Sequence, residues 1–218
     1  MDQVLTSHVA TNLYWYARHI QRIETILIDV LNIFDSVVDT DKDAGKRYFH
    51  CLEIDLEYAS ASEFLENAFF ADHPSNIAVL MGFARENAIV CRAYMDMDAF
   101  GETIRLYRLI ESASRGGIDT DYRFVSEALS FINEIWGIIS RGLVRRKSDH
   151  FLRLGKLVEK VDLHLRLCKD GKESVVYLHN ILIEARHIAP DAELAVSETD
   201  EEANLDAINT LIGCLVVP

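Results

Sequence analysis

From Leu5 to about Val38 the apolar residues fall at Leu5, Val9, Leu13, Tyr16, Ile20, Ile23, Leu27, Val30 or Leu31, Phe34 and Val37, in steps of three and four. That period lays them along one stripe of a single long amphipathic helix. The stretch from Asp39 to Gly45 breaks the pattern. Tyr48, Leu52, Ile54, Leu56, Ala59, Phe64, Leu65, Ala68 and Phe69 then predict a second helix. Pro74 suits the first turn of a third, running from about Ser75 to near Tyr94. A fourth is expected from about Asp98 to Ala113, closed by Arg115-Gly116-Gly117, and a fifth from about Asp121 to Val144. A sixth runs from about Ser148 to Cys168, and a seventh from Ser174 to Ile188, stopped by Pro190. Ser197-Glu198-Thr199-Asp200 resembles a capping box ahead of Leu205, Ile208, Ile212 and Leu215, an eighth, short helix. No strand-like alternation competes, so the expected fold is all-α, a bundle or array of about eight helices.

Composition supports this picture. Half of the 218 residues are hydrophobic, enough to bury a sizeable core, while 3 prolines and 10 glycines leave few obstacles to helix. One domain over residues 1–218 is expected. With 22 basic against 35 acidic side chains the formal net charge is −13, which opposes binding to nucleic acid or anionic lipid. The basic charge gathers between Arg141 and Lys172, and the chain beyond Arg186 is acidic, forming a tail over residues 191–218. Such runs are solvated faces or a local anion site. Cys51, Cys91, Cys168 and Cys214 form no CxxC pair and read as buried thiols. No leader or bilayer-length apolar run is evident, so a cytoplasmic protein is expected, with neither membrane nor nucleic acid as partner.

An internal match changes the reading. The segment Tyr16 to Glu24 aligns with Leu154 to Asp162 by residue class at each position: apolar, small, basic, any, β-branched, Gln/Glu, basic, β-branched, acidic. Ile77, Leu80, Phe83 and Glu86 likewise match Val175, Leu178, Ile181 and Glu184. The duplication would divide the chain into a degenerate repeat with halves 1–113 and 121–190. Three motifs in register then carry a resemblance: Asn12-Leu13-Tyr14-Trp15-Tyr16-Ala17-Arg18 with Gln21-Arg22-Ile23-Glu24; Ala84-Arg85-Glu86-Asn87-Ala88; and His150-Phe151-Leu152-Arg153-Leu154-Gly155-Lys156 with Glu159-Lys160-Val161-Asp162. Over roughly Val9 to Ile188 the chain resembles the bacterial alpha-E domain family. The resemblance implies an all-helical fold beside or fused to a circularly permuted ATP-grasp ligase, often with a transglutaminase-like protein nearby, and hence a part in peptide or amide-bond chemistry. Gln21 stands where the family's first copy usually has Glu, and Lys156 and Lys160 replace arginines of the second. Lysine keeps the charge but loses bidentate geometry.

The candidate binding residues are Arg18, Arg22, Glu24, Arg85, Glu86, Asn87, His150, Lys156, Glu159, Lys160 and Asp162. On two facing helices these charges would form either a buried network or an anion clamp; the ordinary alternative is charges that support helix surfaces. Arg18 and Lys156 are expected in a groove, and Arg22, Glu24, Lys160 and Asp162 in a buried network. Tyr14-Trp15-Tyr16 reads as core packing. Glu184 and His187 have the Glu-x-x-His spacing of di-iron bundles, but a second such motif is lacking, so no metal or other cofactor is assigned. No phosphate loop or nucleophile elbow is written, and no residue is assigned as catalytic. The expected role is a non-catalytic partner or substrate-presenting subunit of an ATP-grasp-type ligase system. The alternatives are an enzyme of peptide or amide modification built on the paired charges, and a helical bundle binding a small ligand or metal.

Overall fold

The computed structural model describes residues 5–141, 146–167, 171–194, 197 and 201–216, which form nine α-helices and no strand. These are α1 (Ser7–Asp39), α2 (Ala44–Cys51), α3 (Ala61–Phe70), α4 (Ile77–Cys91), α5 (Met97–Ser114), α6 (Tyr122–Ser140), α7 (Lys147–Arg166), α8 (Gly171–Ile188) and α9 (Glu201–Val216), with a 3₁₀ turn at Arg92–Tyr94. No helix among the described residues is long and apolar enough to cross a membrane.

The long first helix is the axle. Leu13, Tyr14, Tyr16, Ala17, Ile20, Gln21, Ile23, Ile26 and Leu27 are all buried, so its middle is covered on nearly every side. A helix apolar around most of its circumference is stable only when surrounded. Helices α4, α6 and α7 pack on it, α5 bridges α4 to α6, and α8 packs on α7. The phenolic oxygen of Tyr16 meets Thr103 Oγ1 at 2.7 Å and Thr103 Oγ1 donates to the Ala99 carbonyl, so this buried polar pair is satisfied. One apolar cluster runs through α1 to α6 and the start of α7. A second, around Leu154, Val158, Val161, Leu178, Ile181 and Ile208, lies between α7, α8 and α9, and Tyr14 joins it from α1.

Local chemistry sets the helix starts. Thr6, Ser60, Asn76, Asp96 and Asp121 each accept backbone N–H groups with their side chains. Asn76 accepts from Ala78 and Val79 while donating to the carbonyls of Phe70 and Ala71, which welds α3 to α4. After α5, Gly116 takes a positive φ of 72°, and Gly116 and Gly117 donate back to Ala113 and Ser112.

Several expectations need correcting. The second helix is two: α2 ends at Cys51, Glu53 adopts φ 61°, and residues 52–60 cross to α3 without helix. Pro74 lies two residues ahead of the Asn76 cap instead of in the first turn of α4. Of the three described cysteines only Cys91 is buried, where burial pushes its thiol up to about 12; Cys51 and Cys214 are exposed because both sit on outward faces of their helices. Cys168, the last three residues of the expected capping box, 198–200, and the end of the fifth predicted helix at 142–144 lie outside the described residues.

Candidate functional site

Helices α1 and α7 run parallel. Their closest approach is fixed by Gly155, where an added Cβ would stand 2.2 Å from the Tyr14 carbonyl oxygen and 3.0 Å from the Ala17 side chain. One turn further along both helices, four charges meet. Arg18 Nε donates to Glu159 Oε2 at 2.6 Å and its Nη2 to Asp162 Oδ2 at 3.2 Å. Arg22 repeats the arrangement, its Nε on Glu159 Oε1 and its Nη2 on Asp162 Oδ2 at 3.0 Å. Arg166 closes the far side of Asp162 at 3.1 Å.

The spacing explains the geometry. Arg18 and Arg22 are i and i+4 on one face of α1, and Glu159 and Asp162 are i and i+3 on α7, so each guanidinium spans both carboxylates. Glu159 is 1% exposed, and the ion pairs are held largely away from water. Burial alone would lower the pKa of Arg18, but Glu159, Tyr14 and Asp162 outweigh it and raise the value, so the guanidinium stays charged. Burial raises the Tyr14 phenol, with Arg18 opposing. Arg18 also lies 4.9 Å over the exposed ring of Trp15, which stacks on His19, which in turn meets Phe83 of α4. Burial, then Arg22 and Arg18, push His19 down to about 4.

The expected division of roles is therefore corrected. Arg18 belongs to the buried network with Arg22 and Asp162, joined by Glu159, because both arginines lie on the strip of α1 that faces α7. Glu24 and Lys160 instead line an open cavity of about 220 Å³ beside α1, α7 and α8, together with Gln21, Thr25, His164 and Tyr177. Lys160 Nζ stands 5.3 Å over the Tyr177 ring. Gln21 is 3% exposed; its Nε2 donates to Thr25 Oγ1 at 3.2 Å and its Oε1 has no hydrogen-bond partner. The Lys156 ammonium lies 4.0 Å over Trp136, and burial pushes it down to about 8, with Glu24 opposing and Lys160 and Arg153 adding to the shift.

His150 sits in a separate buried cluster between α7 and α8. Its Nδ1 is 2.6 Å from Glu184 Oε2, Arg153 Nε donates to Glu184 Oε1 at 2.8 Å, and His187 stacks on the His150 ring at 4.5 Å. A guanidinium thus occupies one oxygen of the Glu-x-x-His carboxylate, and no metal-holding group of three or more His, Cys, Asp and Glu side chains occurs among the described residues. Arg85 pairs with its neighbour Glu86 on the surface of α4 and lies 5.0 Å over Tyr107 of α5, away from the α1–α7 charges. Asn87 is half-buried on the same helix. In the aromatic triplet Tyr14 and Tyr16 are core residues, whereas Trp15 is 42% exposed. Sequence reasoning did not place Gln21, Thr25, Arg153, Tyr177 or Glu184 among the site residues. The one usable signal was Gly155, a glycine inside a helix, which marks close backbone approach.

The model of the family Alpha-E, described as a predicted alpha-helical domain with a conserved ER motif, matches residues 5–194. No Glu-Arg dipeptide occurs in the chain; Arg22 and Glu159, from two helices, are bonded to each other. No curated protein and no solved structure matches.

Proposed function

The chain belongs to the alpha-E family, and on that premise we propose that it is a non-catalytic helical partner of an ATP-grasp-type amide or peptide ligase, holding the enzyme or its substrate. One observation carries the reading. Helix α4 presents Val79, Phe83 and Val90 outward, 51%, 55% and 44% exposed, at i, i+4 and i+11 on a single face. Trp15 and His19 of α1 extend it through their stacking on Phe83. A row of large apolar side chains left in water is the usual mark of a docking face. The motif charges support the same reading, since Arg18, Arg22, Glu159 and Asp162 satisfy one another and brace α1 against α7.

The test is capture of tagged chain from its native host. An ATP-grasp ligase co-eluting with wild-type protein, and lost with Phe83→Asp or Val79→Asp while circular dichroism is unchanged, supports the reading. The purified chain alone should turn over no ATP, and adding it to that ligase should change the ligase's rate. Turnover by the chain alone, or retention of the ligase by both variants, would exclude the role.

A further inference from the structure

The network between α1 and α7 has two sides, and among the described residues only one is closed by ion pairs. The alignment of the two helices equates Ala17 with Gly155, Arg18 with Lys156, Gln21 with Glu159, Arg22 with Lys160 and Glu24 with Asp162. In space Ala17 faces Gly155 at the crossing of two parallel helices, and each helix packs on an antiparallel partner, α4 for α1 and α8 for α7. Exchanging equivalents in the two Arg22 bonds of the closed side names residues of the other, whereas the Arg18 bonds would give Lys156, which lies over Trp136. The pair Arg22–Glu159 becomes Lys160–Gln21, and Arg22–Asp162 becomes Lys160–Glu24. These are the residues that line the open cavity.

Glu24 and Asp29 line the open side, but the counterpart of the Glu159 carboxylate is missing there. Where Glu159 takes two guanidinium groups, its counterpart Gln21 is a neutral amide that bonds only Thr25 and leaves one polar atom buried without a partner. Whichever way round the carboxamide is set, one end stays unmatched, and such a group costs free energy unless something occupies the space. Lys160 has its ammonium against Tyr177 and forms no ion pair among the described residues, while Glu24 lines the same wall. The cavity is smaller than the roughly 300–1,000 Å³ of pockets for drug-sized ligands, which matches one amino acid better than a peptide.

We propose that this cavity binds a free α-amino acid, with its carboxylate on Lys160 and its ammonium shared between Glu24 and the Gln21 carbonyl oxygen. The ligand carboxylate takes the place that a glutamate side chain holds on the closed side. The inference rests on the α1–α7 geometry and does not depend on the ligase reading, so the two can fail separately.

Isothermal titration of the purified chain with each free amino acid, and with its α-amide and N-acetyl forms, reads it out in the absence of any ligase. At least one free amino acid should bind one to one, and blocking either of its charged groups should weaken binding by roughly tenfold or more. Lys160→Met, which removes the ammonium, and Gln21→Glu, which supplies the missing carboxylate from within, should each weaken it by a similar factor. The side-chain amide resonances of Gln21 in the wild-type protein should shift on titration, a readout that survives if a variant fails to fold. Absence of binding by every free amino acid, equal binding of the amides, or unmoved Gln21 resonances would overturn the assignment.

Discussion

At the scale of single residues, two positions govern how α1 and α7 meet. Gly155 lets the helices touch, because any side chain there would strike the Tyr14 carbonyl, a backbone atom that moves only with its helix. Gly155→Ala should therefore cost about 3 kcal/mol, at the upper end of overpacking effects, even though alanine is the better helix former. A shift of the urea midpoint to higher concentration would show that the close approach is not there. Glu159 is the second, since both arginines, themselves partly buried, bond its buried carboxylate. Glu159→Ala leaves two guanidinium groups on Asp162 alone and should cost on the order of 3 to 5 kcal/mol, with Glu159→Gln between it and wild type. Equilibrium unfolding measures both, and a loss under about 1 kcal/mol for Glu159→Ala would reduce the network to an ordinary surface ion pair. The four charges were legible in the sequence from their i, i+4 and i, i+3 spacing. Which bonded to which was not, because that depends on the rotation of α7 about its axis, set by a contact between Gly155 and a backbone atom far away in the chain.

At the scale of elements, the seam between α1 and α4 is sensitive to acid. His19 lies in it between Trp15 and Phe83, and its folded value of about 4 is below the roughly 6.5 of an unfolded histidine. The unfolded chain thus takes up the proton first. The contribution is fully present above about pH 6.5 and is lost as the pH falls toward 4, so stability should drop by about 1 to 2 kcal/mol between pH 7 and 5 from this group. His19→Gln should flatten that slope, read as the change in urea midpoint with pH for variant against wild type; identical slopes would place His19 in a solvated setting. The same scale shows where helical periodicity misleads. Tyr48, Leu52, Ile54, Leu56 and Ala59 looked like one helical stripe, yet Leu52, Ile54 and Leu56 alternate, the period of extended chain, and Ile54 and Leu56 are buried from a non-helical segment. Glu53 at positive φ makes the turn there, and no glycine announced it. Helices α1, α5 and α6 were readable because each opens on a side-chain cap and carries a full apolar face, with a glycine pair closing α5.

At the scale of the whole molecule, two apolar clusters share one seam. The larger holds α1 to α6 with Phe151 and Leu152 at the start of α7, the smaller holds the rest of α7 with α8 and α9, and what ties them is the α1–α7 contact: Tyr14 inserted into the smaller cluster, Gly155 against its carbonyl, and the four bonded charges beside it. If that seam is as strong as its buried ion pairs indicate, the clusters cannot melt apart, because separating them would expose Glu159 and both arginines without partners. Unfolding of the wild-type chain should then be a single transition, with tryptophan fluorescence and helical circular dichroism coincident in urea. The probes are well placed, since Trp15 stands beside Arg18 and Trp136 beneath Lys156, both at the seam, whereas the dichroism counts all the helices. Weakening the seam should split the curves: in Glu159→Ala the fluorescence change is expected at lower urea than the bulk of the helix signal, with amides of α8 exchanging independently of those in α4. Two separated transitions in the wild-type chain would mean that the clusters fold as independent units and that the network adds little to their union.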